Sequence, residues 1–247
     1  VYNQLNFMKA KDQGWDMENV VSLILPNGER PAQMLVLKEK ILELPQVTSV
    51  GSTGDRIGEG SGKVIFNIET TEGMAQRGVN FSVIDHDFIE TMNITMAEGR
   101  DFSPERPTDT LMSVIVNETL AKRFNWENPL GKRVELGDEN TVRAEVIGVM
   151  KDYHQTGMYN EVESLLLIYR PELPIMYAKI NPDDMETTLA DIGTIWEEIF
   201  PNHPYNYEFL SERFEQQFDA DENRGIVFTL FTVLAILIAC LGLFGLA

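Results

Sequence analysis

The sequence predicts an α+β chain, in which a layer of two β-α-β units carries an inserted β-rich part and continues into helices that lead to a membrane. Three observations carry this. Two stretches, one towards each end, repeat the order strand, turn, amphipathic helix, proline, strand. Between them lie short apolar segments punctuated by Gly and Pro. From Ile226 to Ala247 no charged residue occurs.

Val1 to Gln13 places Leu5 and Met8 at helical spacing, and Gly14 is suited to stop that helix. Val20 to Leu25 is a short apolar run fit for a buried strand, followed by the turn Pro26-Asn27-Gly28. Pro31 to Leu44 gathers Met34, Leu35, Leu37, Ile41 and Leu42 on one helical side, and Pro45 ends it before the strand Val47 to Val50. The second unit reads alike. A strand Ile175 to Ile180 turns at Asn181-Pro182-Asp183-Asp184, and a helix Met185 to Phe200 presents Leu189, Ile192, Ile195, Trp196 and Ile199. Pro201 stops that helix, and Tyr205 to Leu210 forms the closing strand. Units of matching length suit a split β-α-β layer. The insertion then holds strands at Lys63–Thr70, Val79–Ile84, Ser113–Val116, Arg133–Leu136 and Val142–Val149, with one short helix from Asn117 to Phe124.

After Leu210 the pattern turns helical, with Ser211 as cap and Phe214 and Phe218 at i and i+4. We expect a stalk here, formed with the N-terminal helix. At 1.5 Å per residue, residues 226–247 reach ~33 Å, against a hydrocarbon thickness of ~30 Å. The flank before them is acidic (Asp219, Asp221, Glu222), which places that side outside the cytoplasm. An apolar run without a polar end reads as a fragment of a longer membrane protein. The whole chain has 247 residues, with 20 Lys and Arg against 39 Asp and Glu, a net charge of −19. That charge repels phosphate backbones and excludes nucleic acid. The single cysteine, Cys240, allows neither a disulfide nor a thiolate metal site.

Candidate chemistry is sparse. The glycine-rich run Gly51 to Gly62, followed by Lys63, lacks a P-loop's first glycine at Ile57 and its hydroxyl at Val64. It reads as a flexible hairpin between strands. GxGxxG fails as well, since Ile65 stands where the last glycine belongs. His86 between Asp85 and Asp87 has the residue types of a weak metal site, with a polar turn before a helix Phe88–Met92 as the alternative. Lys151-Asp152-Tyr153-His154 joins acid, base and phenol types just after a strand, in a loop position that catalytic residues often take. No GxSxG nucleophile motif accompanies it. The sequons at Asn93 and Asn117 matter only in a eukaryotic secretory setting. No catalytic, cofactor-binding or metal residue is assigned, and no cofactor is expected.

The stretch from Phe88 to His154 resembles the MacB-like periplasmic core domain of bacterial ABC-transporter permeases. The likeness rests on Met92-Asn93-Ile94, Glu98-Gly99-Arg100-Asp101-Phe102, Ser113 to Lys122 and Asn128-Pro129-Leu130-Gly131-Lys132. Val146-Ile147-Gly148-Val149 and Lys151-Asp152 complete it. Each motif is weak alone; their order and spacing are specific. Gln4-Leu5 and Asp12-Gln13-Gly14-Trp15 resemble the segment after the preceding membrane helix. The tail from Phe231, clearest at Cys240 to Ala247, resembles the start of an FtsX-like permease region. It is most similar to the second external domain of tandem permeases common in Bacteroidetes-like bacteria.

The resemblance implies a porter-like subdomain in two parts, 15–95 and 174–210, with a β-rich subdomain inserted at 96–173. It implies stalk helices at 1–14 and 211–225 and the start of a membrane helix at 226–247. Gly99, Gly131 and Gly148 are expected to serve turns. No catalysis is expected in this chain: a separate cytoplasmic ATPase subunit hydrolyses ATP and the stalks convey the motion. A second permease copy or half, and a periplasmic adaptor or lipoprotein, are the other implied partners. The body would lie on the periplasmic side of the bacterial inner membrane. Two other classes remain open, an external sensor domain of a signalling receptor and a membrane-anchored hydrolase with a pocket around Asp152 and His154.

Overall fold

Two hydrophobic cores organise the described residues of a computed structural model, which are 14–26, 31–60, 62–136, 142–154 and 161–214, with 231, 232 and 235. Contacts divide the chain into two units, residues 12–210 and residues 1–11 with 211–247. The first unit holds every strand among the described residues. In the second, residues 211–214 are helical. The N-terminal helix and the greater part of the C-terminal stalk and membrane segment lie outside the described residues. Among the described residues no helix is long and apolar enough to cross a membrane.

The first core lies under a four-stranded antiparallel sheet. Its strands are β1 (Val20–Ile24), β2 (Val47–Thr53), β10 (Ile175–Ile180) and β11 (Tyr207–Phe209), in the order β11-β1-β10-β2. The order shows why the two β-α-β units need each other. β10 pairs with both strands of the first unit, and β1 pairs with both strands of the second. Each unit is therefore split, and its partner's strand fills the gap. Helices α1 (Pro31–Leu42) and α5 (Met185–Ile199) back this sheet. Leu37 and Ile41 of α1, and Leu189, Ile192 and Trp196 of α5, repeat every three or four residues and turn one stripe inwards. Val21 and Leu23, with Met176, Ala178 and Ile180, meet them by the period of two that a strand imposes. Full burial of side chains of this size is worth about 1.5–3 kcal/mol each. α1 ends at Leu42, because the proline at 45 disfavours helical backbone in the residue before it.

The second core fills a barrel. β3 (Lys63–Thr70), β4 (Gly73–Ile84), β6 (Ser113–Asn117), β7 (Arg133–Leu136), β8 (Val142–Met150) and β9 (Leu165–Tyr169) pair as β4-β3-β7-β8-β6-β9, and β9 closes on β4 in parallel. A short strand, β5 (Met96–Gly99), adds to β8. Inward residues such as Phe66, Ile68, Val114, Val116, Val134, Ala144 and Val146 fill the interior. Leu120, Phe124 and Trp126, from α4 (Glu118–Arg123) and the turn after it, pack into the same core. So small a barrel is packed with side chains and is not a pore.

β4 links the two parts. Gly73–Asn80 pairs with β3, Asn80–Ile84 pairs with β9, and Ile84 faces Thr53 of β2. The glycine-rich run after β2 corrects the hairpin expectation. β2 and β3 do not pair with each other, so residues 54–60 leave the sheet on the way to the barrel and form no hairpin. Ile57 N–H donates to the Tyr177 hydroxyl at 3.1 Å, and Arg56 pairs with Glu208 at 2.9 Å. Gly51 itself lies in β2, where a Cβ would stand 2.5 Å from the Phe88 Cα. The residue is glycine because α2 (Phe88–Thr91) rests on the strand.

Candidate functional site

The chemistry-bearing residues collect where sheet meets barrel. β4 ends at Ile84, and Asp85, His86 and Asp87 follow before α2. Lys38 of α1 reaches this turn. Its ammonium lies 2.6 Å from Asp85 Oδ2 and 2.6 Å from Asp87 Oδ2. Asp85 is fully buried and Lys38 nearly so, with side-chain exposures of 0% and 9%. His86 Nε2 stands 3.2 Å from Asp87 Oδ2, and its ring meets Tyr169 edge-on at 6.0 Å. The two carboxylates that made Asp85-His86-Asp87 resemble a metal site are thus turned to an ammonium. Among the described residues no group of three or more metal-ligating side chains is arranged to hold an ion.

The barrel contributes a second charged layer. Arg100 forks onto Asp109, with Nη1 2.6 Å from Oδ2 and Nη2 2.8 Å from Oδ1. Asp109, in the short helix α3 (Asp109–Met112), also accepts from the Ser113 hydroxyl at 2.8 Å and Ser103 N–H at 3.0 Å. Burial alone would raise this carboxyl; the hydrogen bonds, led by Arg100, outweigh it and hold it below the usual range. Asp101 behaves oppositely. Burial pushes it up to about 7; the Phe102 N–H bond opposes this, and the nearby charges of Asp87, Asp85 and Glu90 add to it. Burial also raises the Tyr169 phenol, helped by Asp85, Asp87 and Asp109, while its ring stacks on Phe102 at 5.6 Å. The joint is thus one network drawn from α1, the β4–α2 turn, the 100–109 segment and β9.

The 151–154 cluster does not converge. Asp152 Oδ1 accepts from Thr119 N–H at 2.9 Å and Oδ2 from the Thr119 hydroxyl at 2.8 Å, so it secures the first turn of α4. Tyr153 is buried with its ring 5.8 Å from Trp15. Gly14 lies under the same turn at φ +78°, where a Cβ would stand 2.6 Å from the Asp152 carbonyl oxygen. Asn117 is a structural pin. Its Oδ1 accepts from Leu120 N–H at 3.0 Å and Leu165 N–H at 2.9 Å, and its Nδ2 donates to the Glu163 carbonyl at 2.9 Å. It caps α4 and ties β6 to β9.

The resemblance motifs meet in space. Gly99 pairs with Gly148 across β5 and β8, and a Cβ on Gly148 would overlap the Arg100 carbonyl. Gly131, at φ +79°, serves a turn as expected, whereas Gly148 serves close strand approach. The sequence reading missed Lys38, Arg100 and Asp109 as partners. A fork of Arg100 onto an acid nine residues on has no local signature.

Known proteins share this architecture. The family described as MacB-like periplasmic core domain matches residues 9–195. No curated protein matches the chain. Among solved structures, the periplasmic region of MacB from Actinobacillus actinomycetemcomitans aligns with a TM-score of 0.59 at 15% identity, covering 86% of this chain and 98% of that one. The extracellular domain of the noncanonic ABC-type transporter YknZ from Gram-positive bacteria gives 0.53 at 14%, covering 77% and 98%. A domain of a putative permease protein from Porphyromonas gingivalis gives 0.52 at 14%, covering 76% and 86%. At such identities the structures speak for the fold; the family match covers most of the chain. The chain belongs to the MacB-like periplasmic core domain family, the periplasmic domains of ABC-transporter permeases.

Proposed function

We propose that this domain passes the work of a separate cytoplasmic ATPase to a substrate outside the membrane, for export or extraction, with no chemistry of its own. The observation that carries this reading is the construction of the joint. One strand, β4, runs unbroken from the barrel to the edge of the helix-backed sheet, and a buried ammonium pins the turn that follows it. Such a connection transmits displacement between two packed cores, because close-packed interiors deform little.

In this reading residues 15–95 and 174–210 form the porter-like part and 96–173 the inserted β-rich part, to which the hairpin β3–β4 is lent from the first part. Residues 1–14 and 211–225 are stalks, and 226–247 begins a membrane helix. The body lies on the periplasmic side of a bacterial inner membrane, as the second external domain of a tandem permease. A second permease copy or half completes the transporter, with an adaptor or lipoprotein as its outer partner.

A Gly-Gly insertion after Gln217 in the intact permease tests the reading. Transport should fall to background while ATP hydrolysis stays within about twofold of the parent. Retained transport overturns it.

A further inference from the structure

Outside the joint, an open groove of about 500 Å³ lies between α4 with its following turn and the β5–β8 side of the barrel. Its floor is apolar. Ala121, Trp126 and Val149 line it with exposures of 7, 8 and 3%. The Trp126 indole N–H is already given to the Glu69 carbonyl at 2.8 Å, so this residue offers the groove its ring and not its donor. The rim is acidic, formed by Glu98, Glu118 and Glu127, with Lys122 as the cation that lines it.

The rim is set apart by its place around an apolar groove, since some barrel acids are paired and others, such as the exposed Glu72 and Glu145, have no ion pair among the described residues either. Glu69 meets Lys132 and Arg133, Glu163 meets Lys63, and Glu135 meets Arg143. Glu118 has a loose 3.7 Å contact to Lys122 within its own helix. Glu98 and Glu127 have no ion-pair partner among the described residues. Three carboxylates against one ammonium leave an uncompensated negative rim around a buried aromatic and aliphatic floor. Anionic ligands are repelled from it, and a free metal ion would leave the floor unused. A lysine or arginine next to an apolar side chain satisfies both features: its stem packs along the floor and its charge reaches the rim.

We propose that this groove is a docking site for an extended basic segment of a partner protein, in which Lys or Arg alternates with apolar residues. The proposal is independent of the mechanical reading, since it concerns what is held and not how force arrives.

The test titrates the full chain in detergent micelles with the peptide acetyl-Leu-Lys-Val-Lys-amide, following Trp126 by NMR. Acetyl-Leu-Glu-Val-Glu-amide and spermidine are the comparison ligands. The basic peptide should saturate, and binding should weaken as salt shortens the reach of the rim charges. The double variant Glu98→Gln/Glu127→Gln removes two exposed, unpaired charges and leaves the fold's own contacts intact. It should weaken the peptide about tenfold at an unchanged Tm. Equal binding of the acidic peptide, equal binding of spermidine, an unaffected double variant, or no saturation in the millimolar range would each overturn the proposal.

Discussion

Replacing Lys38 by Met tests whether the joint is an energetic necessity of the fold. Methionine keeps the length and the apolar stem but removes the ammonium shared by Asp85 and Asp87, each at 2.6 Å. The two carboxylates suffer unequally. Asp87 is 31% exposed and can rehydrate, whereas Asp85 at 0% cannot. Breaking a buried pair from one side costs about 3–5 kcal/mol, because the remaining charge stays buried without compensation. For a domain of this size that corresponds to roughly 6–20 °C in Tm. The triple variant Lys38→Met/Asp85→Asn/Asp87→Asn removes the charge on both sides and should recover all but about 1–2 kcal/mol, since neutral isosteres can replace a buried pair at little cost. Thermal and urea unfolding of the three proteins at pH 7 measures this. A loss below about 1 kcal/mol for Lys38→Met, or a triple variant less stable than the single, would refute the reasoning.

Three further outcomes rest on the same geometry. Asp101 is raised to about 7, so its protonated form is favoured by folding and its contribution is lost as pH rises from about 4 through 7. The whole displacement corresponds to at most ~4 kcal/mol, so Asp101→Asn should stabilise the protein at pH 8, with the gain vanishing by about pH 4 in a series of unfolding curves. Gly148→Ala should cost about 1–3 kcal/mol by forcing β5 from β8, and hydrogen exchange should rise at Arg100 and the residues beside it. Asn117→Ala should cost about 2–4 kcal/mol, since Leu120 N–H, Leu165 N–H and the Glu163 carbonyl lose one shared partner; the check is the urea midpoint.

The layer was legible because its signals are local. Leu189, Ile192 and Trp196 write a helical stripe into adjacent turns, and Pro45 and Pro201 mark the exits. The short helix after Asn117 was equally legible, since a cap and the apolar positions behind it lie within eight residues. Barrel closure was not. It depends on β9, whose run Leu165–Tyr169 is uniformly apolar and carries no alternation, and on parallel pairing with Asn80–Ile84 far away in sequence. The first half of β4 was missed because Met74, Gln76 and Arg77 are exposed and give no inward pattern. At the joint, Asp85-His86-Asp87 was singled out as chemistry-bearing, but its partner Lys38 is one of two lysines two positions apart on the same helix. Lys40 instead meets Glu198 at 2.7 Å near the surface. Periodicity marks Leu37 and Ile41 as buried, yet it does not say which neighbouring lysine is drawn in with them.

The claim that motion from the ATPase reaches this domain is tested most directly by hydrogen exchange in the assembled permease, compared without nucleotide and with ATP trapped. Altered exchange is expected at β1 and β11, nearest in sequence to the stalks, continuing through the Asp85 N–H to Ser52 carbonyl bond and β4 into the barrel. Identical exchange over β1, β11 and β4 in the two states, in a permease that transports, would contradict it.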